Sequence, residues 1–518
     1  MSDVADPPAQ IASASLVEAL RRRLGATLVE THISWVLLDG EIAWKIKKPV
    51  RLPFLDFSSL ATRARLCEEE LRLNRRLAPW LYLDVVPITG TPDDPRLNVA
   101  GPAIEYALRM RQFAAGSLLA ERLAADSLQG AQLDHLAQRL AAFHRAAAVA
   151  GPDTPWGTPA VIEHDALQVL DGLVSRGAAQ AVCDALRRWV LDNGRCLRAT
   201  WLSRKAEGHV REGHGDLHLA NTVVLGEDVT AFDCIEFDPA LRWMDVLNDI
   251  GFLAMDLLAH QRGDLAYRFL NAYLDDSGEH DGLPVLRYYL VYRALVRALV
   301  QRLSAHVPDV DYLGLAQRLS AAPDARLLIT HGVSGSGKSS VAQQLLEQAQ
   351  AIRLRSDVER KRLFGLRALD DSAGAIYGAD ATRRTYTRLR ELAAMALRGG
   401  QRVIVDAAFL RASERESFRS LARECGVPFT LLHCEAPVEV LRERVRSRRA
   451  RAGDPSEADA SVLERQLATQ ELPGPDELAD ALAVQTAQAW DAEQLAARWL
   501  ERHAVVRPED DCFQRRTS

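Results

Sequence analysis

One short segment constrains the fold of this chain more than any other. Residues 332–339 read Gly-Val-Ser-Gly-Ser-Gly-Lys-Ser, which fits the pattern G-x-x-x-x-G-K-S. The apolar run at residues 327–329 predicts a strand before this segment, and residues 340–346 predict a helix after it. Glycines in such a loop let successive backbone N–H groups converge on phosphate oxygens at the start of a helix. The sequence therefore predicts a strand–loop–helix unit that binds the phosphates of a nucleoside triphosphate.

The side chains of this loop add a charge and a metal ligand. Lys338 places a positive charge near the outer phosphates, and Ser339 offers a hydroxyl oxygen to magnesium. ATP and Mg2+ are therefore the predicted cofactors. The residues predicted to contact the nucleotide are Gly332, Val333, Ser334, Gly335, Ser336, Gly337, Lys338, Ser339 and Ser340.

The chain after residue 323 alternates between strand and helix patterns. Helical stretches separate four apolar, strand-like runs, at residues 326–330, 352–354, 402–405 and 429–433. This order predicts a parallel, doubly wound sheet, the three-layer α/β architecture of a P-loop NTPase, over residues 323–505. Asp406 ends the third strand and is predicted to support magnesium, although a strand-ending turn aspartate remains the alternative.

Two further groups of charged residues lie in this domain. Asp357 and Arg360 follow the second predicted strand, and Arg444 and Arg448 share one face of a basic helix. Together with the loop, these features resemble the gluconate-kinase and polynucleotide-kinase-like group of P-loop kinases. The resemblance implies that Asp357 holds or deprotonates an acceptor hydroxyl and that Arg360 clamps an acid group. It also implies a lid whose arginines stabilise the transferring phosphoryl group. A capping aspartate with an exposed arginine, and a solvated basic helix, remain the alternatives.

A second motif lies far upstream of the loop. Residues 214–221 read His-Gly-Asp-Leu-His-Leu-Ala-Asn, and Asp233 follows them. This is the order of a kinase catalytic loop and a later metal-binding aspartate. Asp216 is the predicted base that accepts the proton of an attacking hydroxyl, and His214 is predicted to brace the loop. Asn221 and Asp233 are predicted to bind magnesium.

A lysine and a glutamate precede this motif in the order that a kinase requires. Lys45 lies in a strand-like run and is the predicted nucleotide-binding lysine, but Lys47 shares its face and the choice between them stays open. Glu70 falls on the apolar face of a helix that Ser58 is predicted to cap. A buried carboxylate needs a cation, so Lys45 is its predicted partner, unless Glu70 caps or pairs locally.

Residues 30–300 resemble the aminoglycoside phosphotransferase family on the strength of His214, Asp216, Asn221 and Asp233. The resemblance implies a protein-kinase-like domain over residues 11–320, with a small mixed lobe and a helical lobe. The whole chain resembles bacterial bifunctional proteins that join such a domain to a P-loop domain. There are two departures from the family pattern. No glycine-rich loop precedes Lys45, and Cys234 follows Asp233 where relatives carry an aromatic residue.

Composition restricts the class of protein. A length of 518 residues predicts two or three domains, and a net charge of −6 disfavours bulk binding of nucleic acid. None of the seven cysteines forms a C-x-x-C pair, which is typical of reduced thiols in a cytoplasmic protein. No segment is apolar enough to span a membrane, and the N-terminus lacks the pattern of a secretory signal.

These features predict a cytoplasmic, two-domain enzyme of the α/β and α+β classes. Each domain would use Mg-ATP to phosphorylate a small molecule at a hydroxyl group, without a membrane or nucleic-acid partner. Three alternatives stay open at this stage. The N-terminal domain could be a nucleotide-binding regulator of a C-terminal kinase, the P-loop domain could phosphorylate nucleic-acid 5′ ends, or the chain could bind ATP without catalysis.

Overall fold

The computed structural model describes residues 7–52, 55–303, 310–372, 376–449, 456–479 and 481–502. The α-helices are α1 (Pro7–Leu24), α2 (Leu60–Asn74), α3 (Leu119–Ala124), α4 (Gly130–Ala146), α5 (Pro159–Ser175), α6 (Gln180–Ala206), α7 (Val246–Ala259), α8 (Gly263–Ser277), α9 (Leu283–Leu303), α10 (Tyr312–Ser320), α11 (Lys338–Ala349), α12 (Ser356–Leu363), α13 (Ala379–Arg398), α14 (Ala412–Glu424), α15 (Val438–Arg449), α16 (Ala460–Thr469), α17 (Pro475–Ala479) and α18 (Ala492–Leu500).

The strands are β1 (Thr27–Glu30), β2 (Ser34–Leu38), β3 (Ile42–Lys47), β4 (Arg51–Leu52), β5 (Leu55–Asp56), β6 (Tyr82–Thr91), β7 (Asp94–Leu97), β8 (Ala103–Arg111), β9 (Val210–Glu212), β10 (Thr222–Leu225), β11 (Asp228–Ala231), β12 (Trp243–Asp245), β13 (Arg326–His331), β14 (Ile352–Arg355), β15 (Arg402–Asp406), β16 (Phe429–Glu435) and β17 (Ala481–Gln485). Short 3-10 turns follow at Leu219–Asn221, Pro239–Leu241 and Glu279–Gly282. In the described part of the chain, the helices are too short or too polar to cross a bilayer.

Contacts between residues divide the chain into two compact units. The first unit comprises Met1–Ile162 and Trp201–Asp256, and the second comprises Glu163–Thr200 and Leu257–Ser518. The helices between residues 257 and 320 therefore group with the P-loop sheet, whereas the sequence predicted a domain boundary between residues 320 and 323. A grouping of residues by their contacts does not define where a domain begins or ends. The domains 11–320 and 323–505 therefore stay predictions.

The first unit contains a six-stranded antiparallel sheet in the order β1-β2-β3-β8-β6-β7. The predicted hairpin around Asp39 forms because its carboxylate accepts the backbone N–H of Glu41 and Ile42, at 3.1 and 2.8 Å. Helix α2 packs on β8 and β6. Its N-cap is Ser59, which accepts from the backbone N–H of Thr62, and not the neighbouring Ser58 that the sequence suggested.

The motif region of the first unit consists of two small antiparallel pairs. In the hairpin β10–β11, Thr222 pairs with Ala231 at the open end. Asn221, just before β10, and Asp233, just after β11, therefore lie at that end. Strand β9 precedes His214, and its partner β12 follows later in the chain and leads into α7. The candidate catalytic and metal-binding side chains are thereby carried on short loops between paired strands.

The second unit contains a five-stranded parallel sheet in the order β14-β15-β13-β16-β17. Strand β13, which leads into the phosphate-binding loop, occupies the centre and is buried along its whole length. Helix α11 packs its apolar face on the sheet and on α18, with Val341, Leu345 and Trp499 in the core. The described structure thus has the parallel α/β sheet that the strand–helix alternation predicts.

Helix α8 covers the β14 edge of this sheet. The side chain of Asn271 donates to the carbonyl oxygen of Ala351 at 2.9 Å and accepts from the backbone N–H of Arg353 at 2.6 Å. Because an edge strand exposes unpaired N–H and C=O groups, this amide replaces the neighbouring strand that β14 lacks. These contacts with the edge strand β14 explain why α8 belongs to the same compact unit as the P-loop sheet.

Candidate active sites

The phosphate-binding loop joins the buried end of β13 to the first turn of α11. Gly335 has a φ of +81°, and a Cβ atom there would lie 2.8 Å from the carbonyl oxygen of Leu441. Only glycine fits this combination of positive φ and close backbone approach. The loop curls around the N-terminus of α11, and the N–H groups and positive dipole end of a helix N-terminus favour phosphate.

Two oxygen ligands meet beside this loop. The Ser339 hydroxyl donates to the Asp406 carboxylate, with the two oxygens 3.2 Å apart. Asp406 is the last residue of β15, which pairs with the central strand β13. A hydroxyl and a carboxylate next to a phosphate cradle are the oxygen donors that magnesium prefers, so these residues fit that ion. The Lys338 ammonium donates to the carbonyl oxygen of Val333 at 2.9 Å and thereby closes the loop.

A cavity of about 530 Å³ opens over the loop. It is lined by Ser334, Gly335, Gly337, Lys338, Ser339, Ser340, Arg355, Ser356, Asp357, Arg360, Tyr377, Tyr386, Asp406, Ala407, Ala408, Arg444, Ser447, Ser456, Ala458, Val462 and Gln466. The predicted contacts Gly332, Val333 and Ser336 are not among these lining residues. Val333 and Ser336 are buried residues of the loop. The volume lies within the usual range for small-molecule and cofactor sites.

The acceptor-side residues that the sequence suggested lie in this cavity. Arg355 is the N-cap of α12, so Asp357 lies in the first turn of the helix and is not its cap. Arg360 is 8% exposed, and its guanidinium lies 5.0 Å from the ring centre of Tyr377. Its Nε atom has no hydrogen-bond partner among the described residues. The structure thus differs from the alternative in which Asp357 caps the helix and Arg360 is exposed to solvent.

The structure describes the side chain of only one of the two predicted lid arginines. Arg444 lines the cavity, and its guanidinium donates to the carbonyl oxygen of Gly335 at 3.2 Å and to the hydroxyl of Thr486 at 2.8 Å. It therefore braces the loop from α15. The side chain of Arg448 lies outside the described part of the chain, so its role stays a prediction.

In the first unit, Lys45 lies between two carboxylates from separate elements. Its ammonium is 2.7 Å from Glu70 on α2 and 2.5 Å from Asp233 after β11. Burial by itself lowers the pKa of Lys45, but Asp233 and Glu70 raise the pKa well above its usual range. Burial raises the pKa of Glu70, but Lys45 and Lys47 lower it to about 2. Lys45 and Glu70 are therefore both charged at neutral pH.

Lys47, the alternative nucleotide-binding lysine, is turned into the core. It is 1% exposed, and its ammonium contacts the second oxygen of Glu70 at 2.5 Å and the carboxylate of Glu236. The ring of Phe57 lies below it, with its centre 5.1 Å from the ammonium. Because Lys45 is the less buried of the two and contacts Asp233, its position suits a bound phosphate better.

Asp216 lies on the loop after β9, with its side chain 36% exposed. Asn221 Nδ2 donates to Asp216 Oδ2 at 2.9 Å and to its carbonyl oxygen at 3.0 Å. His214 Nδ1 accepts the backbone N–H of Asp216 at 3.3 Å, and His214 Nε2 donates to the carbonyl oxygen of Phe232 at 2.9 Å. The His214 ring therefore ties the Asp216 loop to the strand that leads to Asp233.

Asp249 anchors the same loop, a role that the sequence patterns did not predict. Its carboxylate accepts the backbone N–H groups of His214 and Gly215, at 2.6 and 2.9 Å, and lies 3.1 Å from His144 Nε2. Burial raises the pKa of Asp249, but the hydrogen bond with His144 and the nearby ring of His214 lower it below its usual range. The one sequence signal was a carboxylate on the apolar helix α7, which requires a partner when buried.

Gly215 cannot be replaced at its position in this loop. It has a φ of +90°, and a Cβ atom would lie 2.7 Å from the carbonyl oxygen of Leu241. The middle residue of the His-Gly-Asp motif is therefore a steric requirement for bringing Asp216 close to the β9–β12 pair.

Residues 327–473 match a family model described as an AAA domain. The described structure is that of a mixed α/β protein whose C-terminal parallel sheet carries the phosphate-binding loop. Two solved structures are similar to this region. A sugar kinase from Janibacter sp. HTCC2649 is 25% identical, with a TM-score of 0.27 over 34% of this chain and 92% of that one. A gluconokinase from Sinorhizobium meliloti 1021 is 25% identical, with a TM-score of 0.24 over 34% and 91%.

A relative matches nearly the whole chain. The uncharacterized protein Rv2004c of Mycobacterium tuberculosis (strain H37Rv) is 30% identical over 455 residues, which cover 84% of this chain and 88% of the relative. The chain belongs to the family of that protein.

Proposed function

We propose that this protein is an ATP-dependent phosphotransferase with two separate magnesium–nucleotide sites. Each site would transfer the γ-phosphoryl group of ATP to a hydroxyl group of a small molecule. For the P-loop site, one observation carries the proposal: a single cavity unites the loop, the Ser339–Asp406 oxygen pair and Asp357. A phosphate cradle, a metal-binding pair and a carboxylate in one cavity are the parts that phosphoryl transfer requires.

In the P-loop site, backbone N–H groups of the loop and Lys338 would bind the outer phosphates. Ser339 and Asp406 would hold magnesium, which neutralises phosphate charge when bound. Asp357 would orient the acceptor hydroxyl and accept its proton, and the guanidinium of Arg360 would hold an acid group on the acceptor. Arg444 would keep the loop in place through Gly335. The acceptor that suits these groups is a small hydroxy acid or a phosphorylated alcohol.

For the first unit, we propose an aminoglycoside phosphotransferase-like site with a protein-kinase-like arrangement. It is supported by the position of Lys45 between Glu70 and Asp233, three residues from separate elements. Lys45 would bind phosphate oxygens, and Asn221 and Asp233 would hold magnesium. Asp216 would accept the acceptor proton, braced by His214. Catalysis at both sites would consist of positioning and charge stabilisation.

Two single substitutions test the proposal. Lys338→Ala and Asp216→Ala should each reduce ATP turnover to the rate of the remaining site, and the double variant should abolish it. Lys205→Ala and Asp228→Ala are matched controls outside both sites. If turnover depends on Lys338 alone, the first unit is a regulator and not a kinase.

The acceptor class requires a second measurement. In the presence of Mg-ATP, hydroxy acids and phosphorylated alcohols should raise the thermal midpoint by mass action, whereas neutral alcohols should not. The same shift should vanish in Arg360→Leu. A shift or phosphate transfer produced only by oligonucleotides with a 5′ hydroxyl would instead identify a nucleic-acid end kinase.

A further inference from the structure

A histidine lies beside the proposed base and has no role in the mechanism above. His218 Nε2 lies 3.4 Å from Asp216 Oδ2, and the side chain of His218 is 9% exposed. It belongs to the same loop as Asp216 and begins the 3-10 turn Leu219–Asn221 as its N-cap. Its ring therefore has a defined position at the edge of the site.

The tautomer of His218 follows from its other contact. The backbone N–H of Ala220 donates to His218 Nδ1 at 3.2 Å, so Nδ1 carries the lone pair. The hydrogen of the neutral ring is then on Nε2, the atom that faces Asp216. Phe252 packs edge-on against the ring, with the two ring centres 5.6 Å apart. The backbone N–H of Leu219 is bound by Asp256 at 3.0 Å, which holds the turn that carries the ring.

Two N–H groups thus approach the same oxygen of the proposed base. Asn221 Nδ2 donates to Asp216 Oδ2 at 2.9 Å, and His218 Nε2 faces that oxygen from the start of the turn. The hydrogen bond from Asn221 and the close contact with His218 both restrict rotation of the carboxylate about its Cβ–Cγ bond. Asn221 is also a proposed magnesium ligand, whereas His218 has no such second task.

We infer that His218 is a positioning residue that orients the carboxylate of Asp216 towards the acceptor hydroxyl. The inference rests on the proposed function of the first unit. A base contributes to phosphoryl transfer only when its oxygen is aligned with the attacking hydroxyl, so loss of the contact should slow the chemical step and leave ATP binding intact.

Two substitutions separate this role from a structural one. In His218→Asn, the side-chain oxygen takes the place of Nδ1 and keeps the cap on Ala220, but the side chain at position 218 no longer brings an N–H group to Asp216. In His218→Gln, the amide nitrogen takes the place of Nε2 and keeps the donor, but the cap is weakened. A positioning role predicts that Asn impairs catalysis more than Gln, and a capping role predicts the reverse order.

The experiment uses the full chain with Lys338→Ala as background, so that the P-loop site does not contribute to ATP turnover. No acceptor is added, and water takes its place in the reaction. Release of ADP from Mg-ATP gives kcat and KM, and thermal unfolding controls for folding. We expect His218→Asn to lower kcat about tenfold with an unchanged KM and thermal midpoint. We expect His218→Gln to retain kcat within about threefold of the background protein.

The outcomes distinguish the inference from the proposed function. If turnover in the Lys338→Ala background does not depend on Asp216, the proposed function of the first unit fails and the role of His218 fails with it. If turnover depends on Asp216 but His218→Asn retains full kcat, or Gln is the more impaired variant, only the inference about His218 is overturned.

Discussion

At the scale of single residues, the first unit depends on a chain of buried charges. Glu70 gives one oxygen to Lys45 and the other to Lys47, and Lys47 continues to Glu236. Buried ion pairs of this kind add little net stability, but removal of one member leaves a charge without a partner. Lys47 therefore fixes the glutamate that Lys45 needs, although it does not face the site.

We expect Lys47→Met to lower the free energy of unfolding by roughly 3–5 kcal/mol, because Glu236 and one oxygen of Glu70 lose their buried cation. Lys48→Met is the matched control, since Lys48 pairs with the carboxylate of Glu30 and donates to the carbonyl oxygen of Thr31, both on exposed residues that water can solvate. Its loss should cost about 1 kcal/mol. Urea-induced unfolding of the two variants measures the difference. Equal losses would contradict the buried network.

The second unit contains a buried histidine that makes stability depend on pH. His280 is 1% exposed, and its ring nitrogens have no hydrogen-bond partner among the described residues. Burial, and then the positive charges of Arg362 and Arg388, lower the pKa of His280 well below its usual value, against a smaller opposing effect of Glu279. The carboxylate of Glu359 lies 3.7 Å from the ring. The native protein therefore keeps this ring neutral.

As pH falls below about 6.5, the unfolded chain binds a proton at His280 that the native protein does not bind. The free energy of unfolding should then decrease by up to about 1.4 kcal/mol per pH unit from this group. His280→Leu should lack this component. Urea unfolding of both proteins at pH 7.5 and 5.5 tests this, and equal slopes would show that His280 does not titrate as described.

At the scale of elements, the most informative feature is the cover on the P-loop sheet. Helix α8 lies outside residues 327–473, yet Asn271 satisfies both backbone groups at the β14 edge. The same helix places Asp275 within 3.5 Å of Arg355, a residue that lines the cavity. One wall of the cavity is therefore supported by a helix that precedes the phosphate-binding loop in sequence.

Asn271→Leu should lower the free energy of unfolding by about 2 kcal/mol, because it leaves a buried N–H and a buried C=O unpaired. Asn193→Leu is the control, since Asn193 donates only to the carbonyl oxygen of Trp189 within α6, and its change should be within about 0.5 kcal/mol. Urea-induced unfolding would measure both changes. Similar values for the two variants would remove α8 as a partner of the sheet edge.

Local sequence patterns were sufficient to predict some of these features and not others. The phosphate-binding loop is predictable because its strand, glycines and helix are contiguous, and the burial of Glu70 follows from helical periodicity. Asp249, Asn271 and His218 act on backbone or side-chain atoms whose position depends on the tertiary fold. The adjacent serines Ser58 and Ser59 are chemically equivalent as caps, so only the backbone path decided between them.

At the scale of the whole molecule, the central claim is that one chain carries two magnesium–nucleotide sites on unrelated folds. The P-loop site is supported by the cavity over its loop, and the other by Lys45, Glu70 and Asp233. The two sets of residues lie in different compact units of the chain. Each site should therefore bind nucleotide when the other has been disabled.

The most direct test is the stoichiometry of a non-hydrolysable ATP analogue bound in the presence of magnesium, measured by calorimetry on the purified full chain. The unmodified protein should bind two equivalents per chain, and either Lys338→Ala or Lys45→Ala should bind one. Saturation of the unmodified protein at a single equivalent would contradict the claim of two sites.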